Sequence, residues 1–327
     1  MPRIDRETYH DHRFQNRLQT VLLIATMLGL LGLLGWLLGG WIGLAIGAFC
    51  CLVVFSLSRR VSPRLVLRVY RAQKIRFEDA PQLMTMFQQL AERAELNPAP
   101  DLYYIRSRNP NAFAVGMEGN SAVAITDGIM RLMNAREMAG ILAHEIAHIQ
   151  NQDTRVMAIA DSVSRIVGWL SQLAFLMLFV GLPIACMGFF SIRMAFATIL
   201  LLFAPVFMNL LQLALSRSRE FDADVVSAHL TLDPRGLASA LAKLDRLRPR
   251  SLFDLFFPGR RAPEPAVLRT HPATKERVER LLKLEEKSTE IEFVGPVTST
   301  EPRKQHLPPR MARHRPRPRI HRNGIWY

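Results

Sequence analysis

Ala143-His144-Glu145-Ile146-Ala147-His148 reads H-E-x-x-H, and the chain is best read outward from it. On a helix, positions i and i+4 share a face, so both imidazoles reach one ion. A catalytic zinc takes three protein ligands and keeps one position open. His144 and His148 supply two of those ligands from a single turn. Glu145 lies between them, rotated around the helix but still on the metal side, where it can take a proton from water and return it to a leaving amine.

Asn134-Ala135-Arg136-Glu137 has capping-box spacing and opens the helix that carries this stretch. Met138, Ile141 and Leu142 form its apolar face. Asn151 and Asp153 follow it, and each is a candidate to hydrogen-bond a ligand imidazole and fix its tautomer. Upstream, Leu102-Tyr103-Tyr104-Ile105, Asn111-Ala112-Phe113-Ala114-Val115 and Ala122-Val123-Ala124-Ile125 read as short strands, with Gly116 and Gly119-Asn120 turning between the last two. An exposed edge strand at Asn111, Ala112, Phe113 and Ala114 would hold an extended peptide by main-chain hydrogen bonds. The alternative is a hairpin packed on the helices. Asp79-Ala80-Pro81 predicts a helix start with Asp79 as the cap, and Asn97-Pro98 predicts its end.

Nearly half of the 327 residues are hydrophobic although 21% are charged, because the apolar residues are gathered into blocks. No charged residue occurs from Leu18 to Leu57. One span needs about 20 residues, so this block predicts two, Leu18–Leu38 and Trp41–Leu57, turning at Gly39-Gly40. Arginines flank the hairpin on its outer ends (Arg17 before; Arg59, Arg60, Arg64 and Arg68 after), which puts both flanks on the cytoplasmic side. A second block, interrupted by Arg193, fits two more spans or two membrane-dipping helices, Ile166–Phe190 and Met194–Leu215, with a buried hairpin of a soluble domain as the competing reading. Cys50, Cys51 and Cys186 all fall inside the blocks, so no disulfide framework or thiolate metal site is implied. The net charge of +14 beside apolar blocks fits a lipid surface better than a nucleic-acid groove, and no specific nucleic acid is expected.

Directly after the second block, Glu220 and Asp224 stand four apart. Glu220 as third ligand with Asp224 beside it would complete a His-His-Glu site, neutral once zinc and a hydroxide are counted. A solvated helix end with arginine–carboxylate pairs is the competing reading. Asp233-Pro234 starts a further helix with the stripe Leu237, Leu241, Leu244 and Leu247. His229 reads as a packing or surface histidine. Phe253, Phe256 and Phe257 lie in a loop over 250–268. His271-Pro272 starts a helix ending near Leu284, with His271 either a donor to an oxyanion or a helix cap. From Glu285 onward proline alternates with arginine and the pattern predicts a disordered basic tail.

These parts in this order resemble the HtpX family of membrane metalloproteases, which is related to the CAAX prenyl endopeptidases. The resemblance covers roughly residues 14–283 and rests on Phe14-Gln15-Asn16-Arg17, Asn111-Ala112-Phe113-Ala114, the HEIAH helix, the membrane insertion, Ser216-Arg217-x-x-Glu220-x-x-x-Asp224 and His271-Pro272. It implies one zinc per chain on His144, His148 and Glu220, with Glu145 as catalytic acid/base and Asp224 closing the E-x-x-x-D motif. The fold expected is α+β and mostly helical, with about four transmembrane helices and a zincin-like, gluzincin-type protease domain.

The expected parts are a cytoplasmic segment over 1–17, a transmembrane hairpin over 18–57, the first half of the protease domain over 58–165, the membrane insertion over 166–215, the second half over 216–284 and the tail over 285–327. The expected function is cleavage of membrane or misfolded proteins at the bacterial inner membrane, in quality control and stress response, with the protease domain facing the cytoplasm. The expected partners are polypeptide substrates and the lipid bilayer. The alternatives are a catalytically silent zinc-binding scaffold that recruits partners, and a CAAX-type prenyl-peptide protease.

Overall fold

The computed structural model describes residues 6–58, 63–117, 119–186, 192–247 and 275–288. His271, the phenylalanines of the 250–268 loop and the basic tail lie outside these residues. The described part is mostly helical, with one four-stranded sheet.

The first helix, α1 (Arg6–Ser58), breaks at Gly39 and Gly40, where Gly40 takes φ 58°. The two arms fold back on each other. Gly35 and Gly43 meet so closely that a Cβ on Gly43 would lie 2.0 Å from the Gly35 carbonyl oxygen. Only glycine permits both that contact and the left-handed turn beside it. Next come α2 (Pro63–Val69), β1 (Gln73–Lys74) and α3 (Pro81–Arg93). Pro81 begins α3 as expected, but Ala80 and not Asp79 occupies the cap position. The Asp79 carboxylate instead accepts the Arg76 backbone N–H in the preceding turn. The helix ends at Arg93, ahead of Asn97-Pro98, because Glu95 turns left-handed at φ 57°.

The sheet holds β2 (Asp101–Ile105), β3 (Ala112–Met117) and β4 (Asn120–Thr126) in the order β1-β2-β4-β3. β3 and β4 form the antiparallel hairpin that the glycines predict, while β2 pairs with β4 in parallel. Both faces are covered. Ala112 and Ala114 point into the main core with Val123, Ile125, Phe87 and Leu142, and Phe113 and Val115 point the other way, toward Leu67 of α2. β3 is the outer strand, with no further strand on its free edge among the described residues.

After the short α4 (Asp127–Leu132), α5 (Ala135–Gln150) runs through the core of the sheet domain, buried along most of its length. Its capping box is complete: the Asn134 side chain accepts from Glu137 N and the Glu137 carboxylate accepts from Asn134 N, both at 2.9 Å. Then α6 (Asp153–Cys186) and α7 (Ile192–Thr231) lead to α8 (Pro234–Leu247) and α9 (Lys275–Ser288). α7 continues unbroken from its apolar part into the stretch carrying Glu220 and Asp224, with Pro205 inside it. Neighbouring helices and local adjustment of the backbone bonds tolerate such a proline in an apolar helix.

A second core joins Met27, Leu31 and Leu34 of α1, Val163 and Val167 of α6, and Leu201, Ala204 and Met208 of α7. The outer faces of this bundle are also apolar, with Trp41, Ile42, Phe49, Trp169, Phe179, Phe196 and Phe203 exposed. Helices that are hydrophobic all round belong in a membrane or a large core. Among the described residues, α1 over Phe14–Val53 and α7 over Phe196–Thr231 are long and apolar enough to cross a bilayer.

Candidate metal centre

α5 and α7 pack against each other and bring His144, His148 and Glu220 together, with one ligand atom from each lying within 4.8 Å of the others. The Nε2 atoms of the two histidines are 3.1 Å apart. Glu220 places Oε2 3.4 Å from His144 Nε2 and Oε1 3.9 Å from His148 Nε2. The rings stand edge to face, 4.6 Å between centroids.

This arrangement fits a metal ion. Two nitrogens bound to a tetrahedral zinc at about 2.0–2.1 Å would stand about 3.3 Å apart, close to the spacing found here. The charge also fits. Glu145, Asp153, Glu220, Asp222 and Asp224 are all buried around the centre, with the guanidinium groups of Arg219 and Arg277 as buried counter-charges. Five carboxylates against two arginines leave an excess of negative charge that a dication would largely offset.

Each histidine has a carboxylate at its other nitrogen. Asp153 Oδ2 lies 2.6 Å from His148 Nδ1, and Asp224 Oδ1 lies 3.2 Å from His144 Nδ1. Such contacts hold the ring orientation and leave Nε2 for the metal. Of the two candidates after the helix, Asp153 is therefore the one on the imidazole, while Asn151 closes α5 as its C-cap. Glu145 is buried at 2% exposure one residue from His144. In the metal-free protein burial opposes a charged His144. The close carboxylates of Asp224 and Glu220 outweigh it and push the imidazole up to about 9.

Sequence reasoning missed Arg277. This residue of α9 is almost wholly buried; its Nη1 lies 2.7 Å from Glu220 Oε2 and its Nη2 2.6 Å from Asp224 Oδ1. It thereby ties together the two acids that stand four apart on α7. Only its place among the charges of Lys275-Glu276-Arg277-Val278-Glu279-Arg280 was visible beforehand, and nothing there marks one arginine as buried.

The edge strand divides the expected peptide-binding residues. Asn111 exchanges hydrogen bonds with Thr126, its N–H going to the hydroxyl at 2.8 Å and its carbonyl accepting Thr126 N at 3.0 Å. Backbone groups alternate in direction along an antiparallel strand. Asn111 and Phe113 therefore turn theirs toward β4, and Ala112 and Ala114 turn theirs to the outer edge.

Residues 78–285 match the family described as Peptidase family M48. A protein of Methylibium petroleiphilum named "Protease HtpX homolog" is 35% identical over 291 residues, covering 82% of this chain and 97% of its own. A second protein of that name, from Acaryochloris marina, is 35% identical over 83% of this chain and 95% of its own. Among solved structures, the crystal structure of S. mikatae Ste24p aligns with 84% of this chain and 66% of its own at 16% identity, with a TM-score of 0.42.

Proposed function

The chain belongs to Peptidase family M48, among the HtpX-like metalloproteases, and on that premise we propose that it is a zinc-dependent endopeptidase acting on membrane or misfolded proteins. The observation that carries this reading is the convergence of His144 Nε2, His148 Nε2 and the Glu220 carboxylate on one buried point. A zinc ion held there supplies a Lewis acid that makes water a nucleophile near neutral pH and polarises the scissile carbonyl.

The chain's own residues do the rest. Glu145 accepts the proton of the attacking water and delivers it to the leaving amine nitrogen. Asp153 and Asp224 keep the two imidazoles oriented, and Arg277 fixes the Glu220 carboxylate. The substrate backbone pairs with Ala112 and Ala114 at the free edge of β3, which places an extended peptide alongside the metal helix.

Our reading also has four membrane crossings, the arms of α1 together with α6 and the apolar part of α7. The N-terminus and a zincin-like protease domain face the cytoplasm of a bacterium, at its inner membrane. Support comes from the apolar outer faces of all three helices and from the arginines at both ends of the α1 hairpin. A site whose third ligand sits on a helix continuing out of the bilayer suits substrates emerging from it, as in removal of damaged membrane proteins under stress. Domain limits follow the same division, with the protease domain formed by 58–165 and 216–284 around the 166–215 insertion.

The test is Glu145→Gln in the detergent-purified full chain, with unfolded casein as substrate. The variant is expected to keep one zinc per chain while cleavage falls by about 10²–10⁴-fold, the usual worth of a general acid/base. A variant that cleaves like the wild type would remove Glu145 from the mechanism.

A further inference from the structure

Three links join the metal ligand His148 to the first apolar helix. Asp153 Oδ2 contacts His148 Nδ1 at 2.6 Å. The other oxygen of Asp153 is 2.6 Å from Arg219 Nε. Arg219 Nη1 donates to the Thr20 hydroxyl oxygen at 3.2 Å. Thr20 is itself held, its hydroxyl donating to the Asn16 carbonyl at 2.8 Å. The third nitrogen of the guanidinium, Nη2, bonds Asp222 at 2.9 Å, and Asp222 also accepts from the Asn16 amide at 3.5 Å. One step along α1, Ser218 donates to the Gln19 side chain at 3.5 Å.

Nη1 and Nη2 of Arg219 each hydrogen-bond a separate partner, Nε stands in ion-pair contact with Asp153, and Arg219, Asp153, Asp222 and Thr20 are all buried. A planar guanidinium held by two hydrogen bonds and one ion pair has one orientation, whereas a lysine ammonium would reach these partners only as a mobile point charge. Asp153 cannot swing away from His148 without leaving Arg219, and Arg219 cannot turn without leaving the polar turn of α1.

We infer that Arg219 is a positioning residue for the metal centre, acting on His148 through Asp153, and that Asn16 and Thr20 of the first apolar helix hold Arg219 in register. The α1 hairpin is then part of the support of the site as well as an anchor. This inference rests on the metal-centre reading proposed above.

The experiment measures zinc affinity by chelator competition and the visible spectrum of the cobalt(II)-substituted protein. It uses the full chain in detergent for wild type, Arg219→Lys, Thr20→Val, Thr20→Ser and Glu220→Gln. Arg219→Lys is expected to weaken zinc binding roughly 10–100-fold, the usual effect of losing a partner behind a ligand. Thr20→Val, which keeps shape but removes the acceptor, is expected to weaken it less, by roughly threefold to tenfold, and to alter the cobalt bands. Thr20→Ser is expected to restore both. A role in folding alone would lower the unfolding temperature and leave the cobalt spectrum and zinc affinity of the folded protein unchanged. Wild-type affinity and spectrum in both Arg219→Lys and Thr20→Val, with zinc lost in Glu220→Gln, would overturn the inference and leave the metal centre standing. If Arg219→Lys does not fold, Thr20→Val against Thr20→Ser decides. Absence of zinc from the wild type, or its full retention by Glu220→Gln, would sink the metal-centre reading itself and this inference with it.

Discussion

Arg277 grips Asp224 through two parallel hydrogen bonds, Nε to Oδ2 at 2.7 Å and Nη2 to Oδ1 at 2.6 Å, in the interior of the protein. With its remaining nitrogen on Glu220, this one side chain of α9 fixes both acids that α7 brings to the centre. Burial alone would disfavour its charge, but Asp224 and Glu220 outweigh that and hold it more firmly protonated than a free arginine.

Removing Arg277 leaves Glu220 and Asp224 buried without their main counter-charge. Breaking a buried pair from one side costs about 3–5 kcal/mol. Arg277→Met is expected to lose that much stability in the metal-free protein, read by chemical unfolding in detergent. Added zinc is expected to recover part of it, because the dication replaces the missing charge. An unchanged unfolding midpoint would contradict this role.

The proton on His144 competes with the metal. Folding raises its pKa from 6.5 to about 9, since Asp224 and Glu220 favour the imidazolium more than burial opposes it. The stabilisation it gives the metal-free fold is thus fully present below pH 6.5 and is lost as pH rises through about 9. Zinc needs the neutral ring, so binding must expel this proton. Zinc affinity is expected to rise by about tenfold per pH unit from this group between pH 7 and 9, with proton release visible by calorimetry in buffers of different ionisation enthalpy. No proton release at pH 7.5 would argue against a protonated His144.

Glu137 links the start of the metal helix to α8. Its carboxylate accepts from Ser239 and from Lys243, each at 2.6 Å, as well as from Asn134 N. Burial works to raise its pKa, but those donors together hold it below the ordinary carboxylate value. Its contribution is therefore present above pH 4.5 and is lost as pH falls through the depressed value. Glu137→Ala is expected to destabilise the protein by about 1–3 kcal/mol and to flatten the acid limb of its stability profile, measured by thermal unfolding from pH 3 to 7. A variant as stable as the wild type across that range would contradict it.

The elements legible in the sequence were those written in local spacing. Two histidines four apart, the Asn134–Glu137 box, the Gly39-Gly40 break and the hairpin glycines at 116 and 119 need only near neighbours to act. Spacing alone left Glu220 open between a ligand and a solvated helix end, and the family resemblance is what singled it out. What was not legible depends on distant partners. Arg277 and Arg219 differ from surface arginines only in what lies opposite them, across 53 and 66 residues of chain from Asp224 and Asp153 respectively. The parallel pairing of β2 with β4 and the two-residue β1 are tertiary outcomes with no signature of their own. Asp79 looked like a cap because its residue type favours one, yet the turn at Arg76 claimed its carboxylate first.

The central claim is that His144, His148 and Glu220 hold a catalytic zinc. Zinc content and zinc-edge X-ray absorption of the full chain, purified without chelator, test it most directly. The account predicts one zinc per chain, two imidazole nitrogens at about 2.0–2.1 Å and oxygens from Glu220 and one water at about 2.0–2.2 Å, with the imidazole signal halved in His148→Ala. No zinc after reconstitution, or a shell that is unchanged in His148→Ala, would contradict it.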